Sequence, residues 1–166
     1  NLPDHPEGEE RLLLHHPDKR IRPMLTLKFC QALCGDMEPA LDYACGVEML
    51  HTYSLIHDDL PSMDNDDLRR GRPTNHKVYG EGVAILAGDA LLTEAFAMLT
   101  SVPSNERYNV RDYVAELAYR TGSLTLVGGQ VLDLEGEGRQ LSVDELRAIH
   151  MGKTSSLIIA SVRLGA

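Results

Sequence analysis

Residues 39–71 read PALDYACGVEMLHTYSLIHDDLPSMDNDDLRRG, and this stretch decides what kind of fold the chain can adopt. As far as about residue 60, its apolar side chains recur at helical spacing rather than in the alternation of a strand. Residues 58–70 then hold five carboxylates followed by two guanidiniums. Because like charges at spacings of three and four destabilise a helix, a solvated helical face would intersperse lysines among such acids. The acidic run therefore predicts bound divalent cations, and the arginines after it predict a phosphorylated ligand bridged by those cations.

The remainder of the chain also carries helical periodicity, which predicts an all-α fold. We expect helices at 22–34, 39–60, 83–100 and 109–135, and a further helix that starts at Ser142 and continues to the last residue. The helix at 83–100 is apolar on nearly every side, so we expect it at the centre of the fold. Ser142 and Glu145 have the spacing of a capping box, which marks a helix start.

A glycine pair lies inside the predicted helix at 109–135. Gly128 and Gly129 together cost about 2 kcal/mol relative to two alanines. The pair is therefore expected to permit the close approach of a ligand or, the alternative that we favour, of another helix.

The composition bounds the class of protein. With 166 residues, a net charge of −9 and 43% hydrophobic content, the chain fits a single globular unit in the cytosol. The acidic balance argues against a nucleic-acid partner, whose phosphates require a dense basic face. No run of about 18 uninterrupted apolar residues predicts a membrane span, and no signal peptide opens the chain. The cysteines lack a metal-binding spacing and are expected to be reduced and buried: Cys30, Cys34 and Cys45.

The acidic run can hold metal only if the helix before it ends. On a straight helix Asp58 and Asp64 would lie about 120° out of phase and about 9 Å apart along the axis. Pro61 removes a backbone donor between them, which predicts non-ideal helix from Leu60 to Met63 and lets Asp64 return toward Asp58. Oxygen ligands beside arginines favour Mg²⁺. A calcium loop is the rival interpretation, but the glycine and closing glutamate at the required offsets are missing.

At the level of motifs, the chain resembles the trans-polyprenyl diphosphate synthase family. His57 to Thr74 looks like that family's first aspartate-rich motif, D-D-x-x-x-x-D followed by R-R-G. Four further segments match in the family's order: Lys19-Arg20-Ile21-Arg22-Pro23, Leu86-Ala87-Gly88-Asp89-Ala90-Leu91, Gly128-Gly129-Gln130 with Asp133, and Met151-Gly152-Lys153-Thr154. The resemblance spans residues 19–166 and implies a short-chain enzyme built as an antiparallel helix bundle around a central cavity. Such an enzyme condenses an allylic diphosphate, dimethylallyl or geranyl, with isopentenyl diphosphate.

The resemblance also implies roles for individual residues. Asp58 and Asp64 would be direct ligands of a cluster of three Mg²⁺ ions, and Asp59 would support them without binding metal. The groups expected to hold the allylic diphosphate are Arg69, Lys153 and Thr154, and those expected to hold isopentenyl diphosphate are Lys19, Arg22, His51 and Arg70. Gln130 is expected among the substrate-binding residues. Tyr53 and Ser54 occupy the fifth and fourth positions before Asp58 and would set product length, which favours farnesyl diphosphate over geranylgeranyl diphosphate.

Several of these residues have structural alternatives. Lys19 and Arg22 could be solvated charges at a helix start, and His51 could be a structural histidine three residues after Glu48. Gln130 and Asp133 could line the cavity or pair with a neighbouring helix. Two further expectations concern acids that bind nothing: Asp66 and Asp67 should face solvent, and Asp89 should be a buried, hydrogen-bonded residue because a carboxylate in an apolar helix is otherwise costly.

The chain departs from the family pattern in two places. Pro17-Asp18 stands where the family usually has a glycine pair. The family's second aspartate-rich motif does not occur, so we expect residues 1–166 to be the N-terminal part of a single synthase domain and to be inactive alone. A homodimer is the expected assembly. The rival functions are a non-catalytic subunit of a heteromeric synthase, which would not need all of these charged residues, and a terpene cyclase, which would not need Lys19 and Arg22.

Overall fold

The computed structural model describes residues 20–102 and 107–166, and these form an all-α bundle with one short hairpin. Lys19 lies outside the described residues. The elements, numbered in chain order, are α1 (Ile21–Cys34), a 3₁₀ turn (Glu38–Ala40), α2 (Leu41–Asp58), β1 (Leu68–Arg69), β2 (Arg72–Pro73), α3 (Asn75–Tyr79), α4 (Glu81–Thr100), α5 (Val110–Thr121), α6 (Leu126–Gly136), α7 (Val143–Ile149), a π-helix (His150–Ser155) and α8 (Ser156–Gly165).

Helices α2 and α4 form an antiparallel pair at the centre of the described structure. The start of α2 meets the end of α4 at Gly46, where an added Cβ would lie 2.9 Å from Leu99 Cδ1. The end of α2 meets the start of α4, where His57 Nε2 lies 3.0 Å from the carbonyl oxygen of Ile85. The predicted helices at 22–34, 39–60 and 83–100 are therefore confirmed apart from small shifts of their ends.

The hydrophobic core lies where α1, α2, α4, α5 and α8 converge. Its largest fully buried aliphatic side chains come from four of these helices: Val47, Leu50, Leu99, Leu117 and Leu157. Helix α8 closes onto α1 through Gly165, whose added Cβ would lie within 2.1 Å of the Thr26 carbonyl oxygen. This packing leaves one face of the α2 end directed toward α6 and the π-helix.

The prediction of a single helix at 109–135 is wrong, because the segment forms two helices, α5 and α6, with a turn between them. Gly122 adopts extended backbone angles, φ −79° and ψ −172°, and so ends α5. The Gly122 carbonyl oxygen then accepts hydrogen bonds from the amides of Thr125 and Val127, at 3.1 and 3.2 Å. The Thr125 hydroxyl donates to the Tyr119 carbonyl oxygen at 2.5 Å. These bonds satisfy backbone groups that the continuous helix would have paired.

Helix α4 is less enclosed than its composition predicts. Ala84, Gly88, Ala95 and Leu99 are buried, whereas Leu86 is 68% exposed. Asp89 is also exposed, so the prediction of a buried carboxylate there is wrong: it lies on the outer face, 3.9 Å from His57 Nε2. By length and composition alone α4 could cross a membrane, with a mean hydropathy of 1.6, although Asp89 and Glu94 interrupt its apolar sequence.

The cysteine prediction holds for one residue of three. All three are free thiols, but only Cys30 is buried, whereas Cys34 and Cys45 are exposed. Burial raises the pKa of the Cys30 thiol. Cys34 and Cys45 lie on α1 and α2 at positions that face away from the core, which the local apolar pattern did not distinguish.

Candidate active site

The C-terminus of α2 delivers two acidic residues to one place. Regular helix ends at Asp58, and the chain turns through Leu60, Pro61 and Met63. The Asp64 amide then donates to the Asp58 carbonyl oxygen at 2.9 Å. The predicted break at Pro61 is confirmed, because the turn brings Asp64 back beside Asp58 as a continued helix could not.

A two-residue hairpin positions the arginines that follow the acids. Strands β1 and β2 pair antiparallel, with Arg69 opposite Arg72. The two turn residues, Arg70 and Gly71, both have positive φ, 54° and 77°, as a tight hairpin turn of this hand requires. Thr74 fixes the end of the hairpin, since its hydroxyl donates to the Asp66 carbonyl oxygen at 2.8 Å.

The hairpin returns Arg69 to the end of α2. Arg69 Nε lies 2.8 Å from Asp59 Oδ1, and Arg69 NH2 lies 2.6 Å from the same oxygen. This hydrogen bond to Asp59 raises the pKa of the Arg69 guanidinium. Arg69 NH2 is also 3.9 Å from Asp58 Oδ2. Asp59 therefore holds the arginine in place, and the arginine presents its charge to Asp58.

The opposite wall of the site depends on a contact between two glycines. A Cβ on Gly129 of α6 would lie 2.2 Å from the Lys153 amide nitrogen, and one on Gly152 would lie 2.8 Å from Gly129 Cα. The close helix approach predicted from Gly128-Gly129 is thus confirmed at Gly129, and its partner is the π-helix. A π-helix is a rare wide turn that often occurs at functional sites, and here it carries Lys153 toward the end of α2.

Asp58 is the point where these elements meet. Gln130 Nε2 donates to Asp58 Oδ1 at 2.5 Å, and Lys153 Nζ lies 3.5 Å from both Asp58 oxygens. Lys153 also pairs with Asp133 at 2.6 Å. Burial raises the pKa of Asp58 in spite of the opposing effect of Lys153, and nearby Asp64 raises it further. Lys153 and Arg69 oppose this increase without cancelling the effect of burial.

A second pair of basic groups is formed by Arg22 of α1 and His51 of α2. Arg22 NH1 is 3.1 Å from His51 Nε2, and Arg22 Nε is buried without a hydrogen-bond partner. Burial, followed by the charges of Arg22, Arg69 and Arg20, lowers the pKa of His51 to about 4. Glu48, the expected helical neighbour of His51, pairs instead with Arg20 at 2.6 Å. An unused buried guanidinium nitrogen beside a neutral histidine is suited to an anion.

An apolar cavity of about 410 Å³ runs from Asp58 between α2, α6 and α8, a volume within the range of about 300–1,000 Å³ typical of small-molecule sites. Tyr53 and Ser54 line it, as do Arg22, His51, Gln130, Lys153 and Thr154. Tyr53 is 7% exposed and belongs to the hydrophobic core. The remaining wall is mostly aliphatic, and its side chains are Leu55, Leu126, Val127, Val131, Leu134 and Leu157, together with His57 and Met63.

The structure thus brings together most of the residues singled out from the sequence. Asp58, Asp59, Arg69, Gln130 and Lys153 form one contact network. Arg70 is on the exposed hairpin turn, and Asp64 is exposed at the mouth of the site. Asp66 and Asp67 face solvent as predicted, with exposed side-chain fractions of 53% and 71%.

Sequence reasoning missed two contacts in this region, those of Arg20 and His57, and gave pairing with a neighbouring helix only as one alternative for Asp133. Arg20 neutralises Glu48, Asp133 holds Lys153, and His57 contacts both α4 and the cavity. The spacing of Asp133 three residues after Gln130 placed both on one helical face. Nothing in the sequence indicated that this face would meet a lysine from the π-helix.

The acidic groups fit a hard cation in their chemistry but do not form a complete cage. Within residues 20–102 and 107–166, no cluster of three histidine, cysteine, aspartate or glutamate side chains could hold a metal ion. Asp58 and Asp64 supply carboxylate oxygens on one side only, and Mg²⁺ is commonly bound by one or two carboxylates together with phosphate oxygens of a substrate.

Comparison with known proteins identifies relatives over most of the chain. The sequence profile of the polyprenyl synthetase family matches residues 11–166. Farnesyl diphosphate synthase from Geobacillus stearothermophilus is 55% identical over 151 residues, which cover 89% of this chain and 50% of that protein. The chloroplastic heterodimeric geranylgeranyl pyrophosphate synthase large subunit 1 from Arabidopsis thaliana is 52% identical over 154 residues, or 89% of this chain and 42% of that protein.

A solved structure shares the fold of the chain. The geranyltransferase from Legionella pneumophila superposes with a TM-score of 0.89 at 37% identity, and the match covers 95% of this chain and 56% of that one. The chain spans about half the length of the curated relatives it matches.

Proposed function

The chain belongs to the polyprenyl synthetase family, and on this basis we propose that the protein condenses an allylic diphosphate with isopentenyl diphosphate. The observation that carries the proposal is the convergence of Asp58, Arg69 and Lys153 at the mouth of an apolar cavity. Cations there can receive a diphosphate, and the aliphatic wall behind them can receive a prenyl chain. Dimethylallyl and geranyl diphosphate are the proposed allylic substrates.

The allylic diphosphate would be held by Arg69, Lys153 and Thr154. When its carbon–oxygen bond breaks, negative charge grows on the leaving diphosphate, and fixed cations stabilise that charge more than they stabilise the ground state. Asp59 and Asp133 orient the two cationic side chains before substrate arrives. Mg²⁺ ions bound through Asp58 and Asp64 would supply further electrophilic stabilisation of the diphosphate oxygens.

Isopentenyl diphosphate would lie beside Arg22 and His51, with Lys19 and Arg70 as further proposed contacts. A guanidinium offers a planar fork of donors that matches phosphate oxygens, and Arg22 Nε is buried with no hydrogen-bond acceptor. The isopentenyl double bond attacks the allylic cation, a new carbon–carbon bond forms, and a proton leaves to the released diphosphate. No side-chain base is needed for this step.

The product is proposed to be farnesyl diphosphate, with geranylgeranyl diphosphate as the alternative. The Tyr53 ring lines the cavity five residues before Asp58, and Ser54 lies beside it. A bulky ring at this depth limits the length of chain that the cavity accepts. Relatives named for each product are comparably similar, at 55% and 52% identity, so the side chains of the cavity must decide.

We also propose that the protein is a cytoplasmic homodimer with no nucleic-acid partner. Helix α4 presents exposed apolar side chains, among them Val83 and Leu86, and an apolar patch of this kind commonly marks a protein–protein contact. In a homodimer, a second copy of the chain would cover this apolar patch on α4. Sedimentation of the full-length protein checks this, and a monomer at micromolar concentration would contradict it.

A non-catalytic subunit of a heteromeric synthase is the second candidate, because one relative is named as a subunit of a heterodimeric enzyme. The test is to incubate full-length protein with Mg²⁺, geranyl diphosphate and isopentenyl diphosphate, and to measure released diphosphate and prenyl products. Release that requires both substrates supports the synthase. Release from geranyl diphosphate alone would indicate a cyclase, and no release would favour the non-catalytic subunit.

A further inference from the structure

Helix α4 carries a recess that receives the ring of His57. A Cβ on Gly88 would lie 2.1 Å from His57 Nε2 and 2.4 Å from its Cδ2. No other residue type could occupy position 88 without displacing the ring, since real Cβ atoms do not approach so closely. Gly88 is buried, so the space beside its Cα is occupied by the His57 ring rather than by solvent.

The recess also supplies a hydrogen-bond acceptor. His57 Nε2 lies 3.0 Å from the carbonyl oxygen of Ile85. A carbonyl oxygen only accepts, so Nε2 carries the hydrogen and donates it. The Asp89 carboxylate is further away, at 3.9 Å, and is largely exposed. The ring is therefore fixed by shape at Gly88 and by one bond at Ile85.

His57 in turn contacts Tyr53, the residue proposed to limit the length of the cavity. The rings of Tyr53 and His57 lie one helical turn apart on α2, with centroids 5.7 Å apart and planes at 90°. This edge-to-face arrangement is the favoured one for aromatic neighbours. Both residues line the apolar cavity.

We propose that His57, seated on Gly88 and bonded to Ile85, fixes the ring of Tyr53 and thereby determines the length of the prenyl product. His57 is a positioning residue in this role, because it acts through Tyr53 and not on the reacting atoms. The inference rests on the proposed prenyl transfer and adds to it a specificity determinant one position before the first aspartate.

The test compares variants of the full-length protein. His57→Ala removes the ring, whereas His57→Gln keeps an amide donor that can reach the Ile85 carbonyl oxygen. Gly88→Ala keeps the histidine at position 57 but fills the recess, so its ring is displaced. Asp89→Asn is the matched control, since it removes the other group near Nε2 from the exposed face. Products made from geranyl and isopentenyl diphosphate are separated by chain length, and folding is checked by thermal melting.

We expect His57→Ala and Gly88→Ala to raise the ratio of longer to shorter products about two- to tenfold, the range that an edge-to-face aromatic pair sustains. Asp89→Asn should keep the wild-type ratio, and His57→Gln should lie nearer to wild type than His57→Ala does. In a Tyr53→Ala background, His57→Ala should add no further lengthening. An unchanged ratio in folded His57→Ala, or lengthening that adds to that of Tyr53→Ala, would overturn the inference.

A crystal structure of His57→Ala separates this inference from the proposed function, because it needs no turnover. We expect the Tyr53 ring to be displaced or to occupy more than one position. A Tyr53 ring that keeps its wild-type position in the variant would overturn the inference, whatever the enzyme makes. If the wild type makes no prenyl product at all, the proposed function fails, and the position of Tyr53 still decides whether His57 holds it.

Discussion

Acidification should destabilise the protein through one partly buried histidine, His51. His51 accepts a hydrogen bond from Arg22, whose NH1 is 3.1 Å from His51 Nε2. A proton added at Nε2 would face that guanidinium directly, and Arg69 and Arg20 also act against it. The folded protein therefore holds His51 neutral, and its pKa falls from 6.5 to about 4.

The sign and size of the effect follow from the two pKa values. Between pH 6.5 and about 4 the unfolded chain binds a proton at His51 that the folded protein does not, so the free energy of unfolding decreases as the pH falls. Integration of this difference gives a loss of about 2 kcal/mol between pH 7 and pH 5, and about 3 kcal/mol by pH 4. Above pH 7 the contribution of His51 is fully present and constant.

The assay is urea denaturation of the wild type and of His51→Gln at pH 7 and pH 5. Glutamine keeps a carbonyl oxygen that can accept from Arg22 and does not titrate, so the variant should lack this component of the pH dependence. The raised pKa of Asp58 acts in the opposite direction, and the difference between the two proteins cancels it. Parallel stability changes in wild type and variant would refute the reasoning.

Three further substitutions test other parts of the site. Gly129→Ala should lower the free energy of unfolding by about 1–3 kcal/mol, because its Cβ would overlap rigid backbone. The control, Gly82→Ala, has no atom within 4 Å of the new Cβ and should raise the free energy of unfolding by up to about 1 kcal/mol. Equal effects of the two substitutions in urea denaturation would contradict this. Arg69→Lys should lower the free energy of unfolding by about 1–3 kcal/mol and lower kcat, because lysine cannot reproduce the paired contacts to Asp59. Thermal melting and initial rates measure the two effects. The control is Arg72→Lys at an exposed position, which should change neither stability nor kcat. Tyr53→Ala should lengthen the product, as chromatography of the prenyl chains would reveal, and unchanged length would count against a role in limiting the cavity.

Features that depend on local chemistry could be predicted from the sequence. The capping box at Ser142 and Glu145 forms as expected, because both hydrogen bonds lie within one turn. The break after Asp58 follows from the missing backbone donor of Pro61. The contact at Gly129 follows from the cost of glycine in a helix, which a close neighbour must offset.

Features that depend on competing local hydrogen bonds or on distant partners could not be predicted. The break at Gly122 is fixed by hydrogen bonds from Thr125 and Val127, and isolated glycines are often tolerated inside helices. The exposure of Asp89 and Leu86 depends on which face of α4 packs against α2, and an all-round apolar pattern does not specify that face. The π-helix had no signal in the periodicity, although it determines where Lys153 lies.

Arg70 shows how stability and activity can oppose each other at one position. Its φ of 54° places a non-glycine residue in the left-handed region, which costs roughly 1–2 kcal/mol relative to the right-handed one and which asparagine or glycine tolerates better. The backbone conformation by itself therefore favours glycine or asparagine at this position. Selection for catalysis would keep the arginine if the guanidinium binds substrate, so at position 70 the backbone and the catalytic role favour different residues.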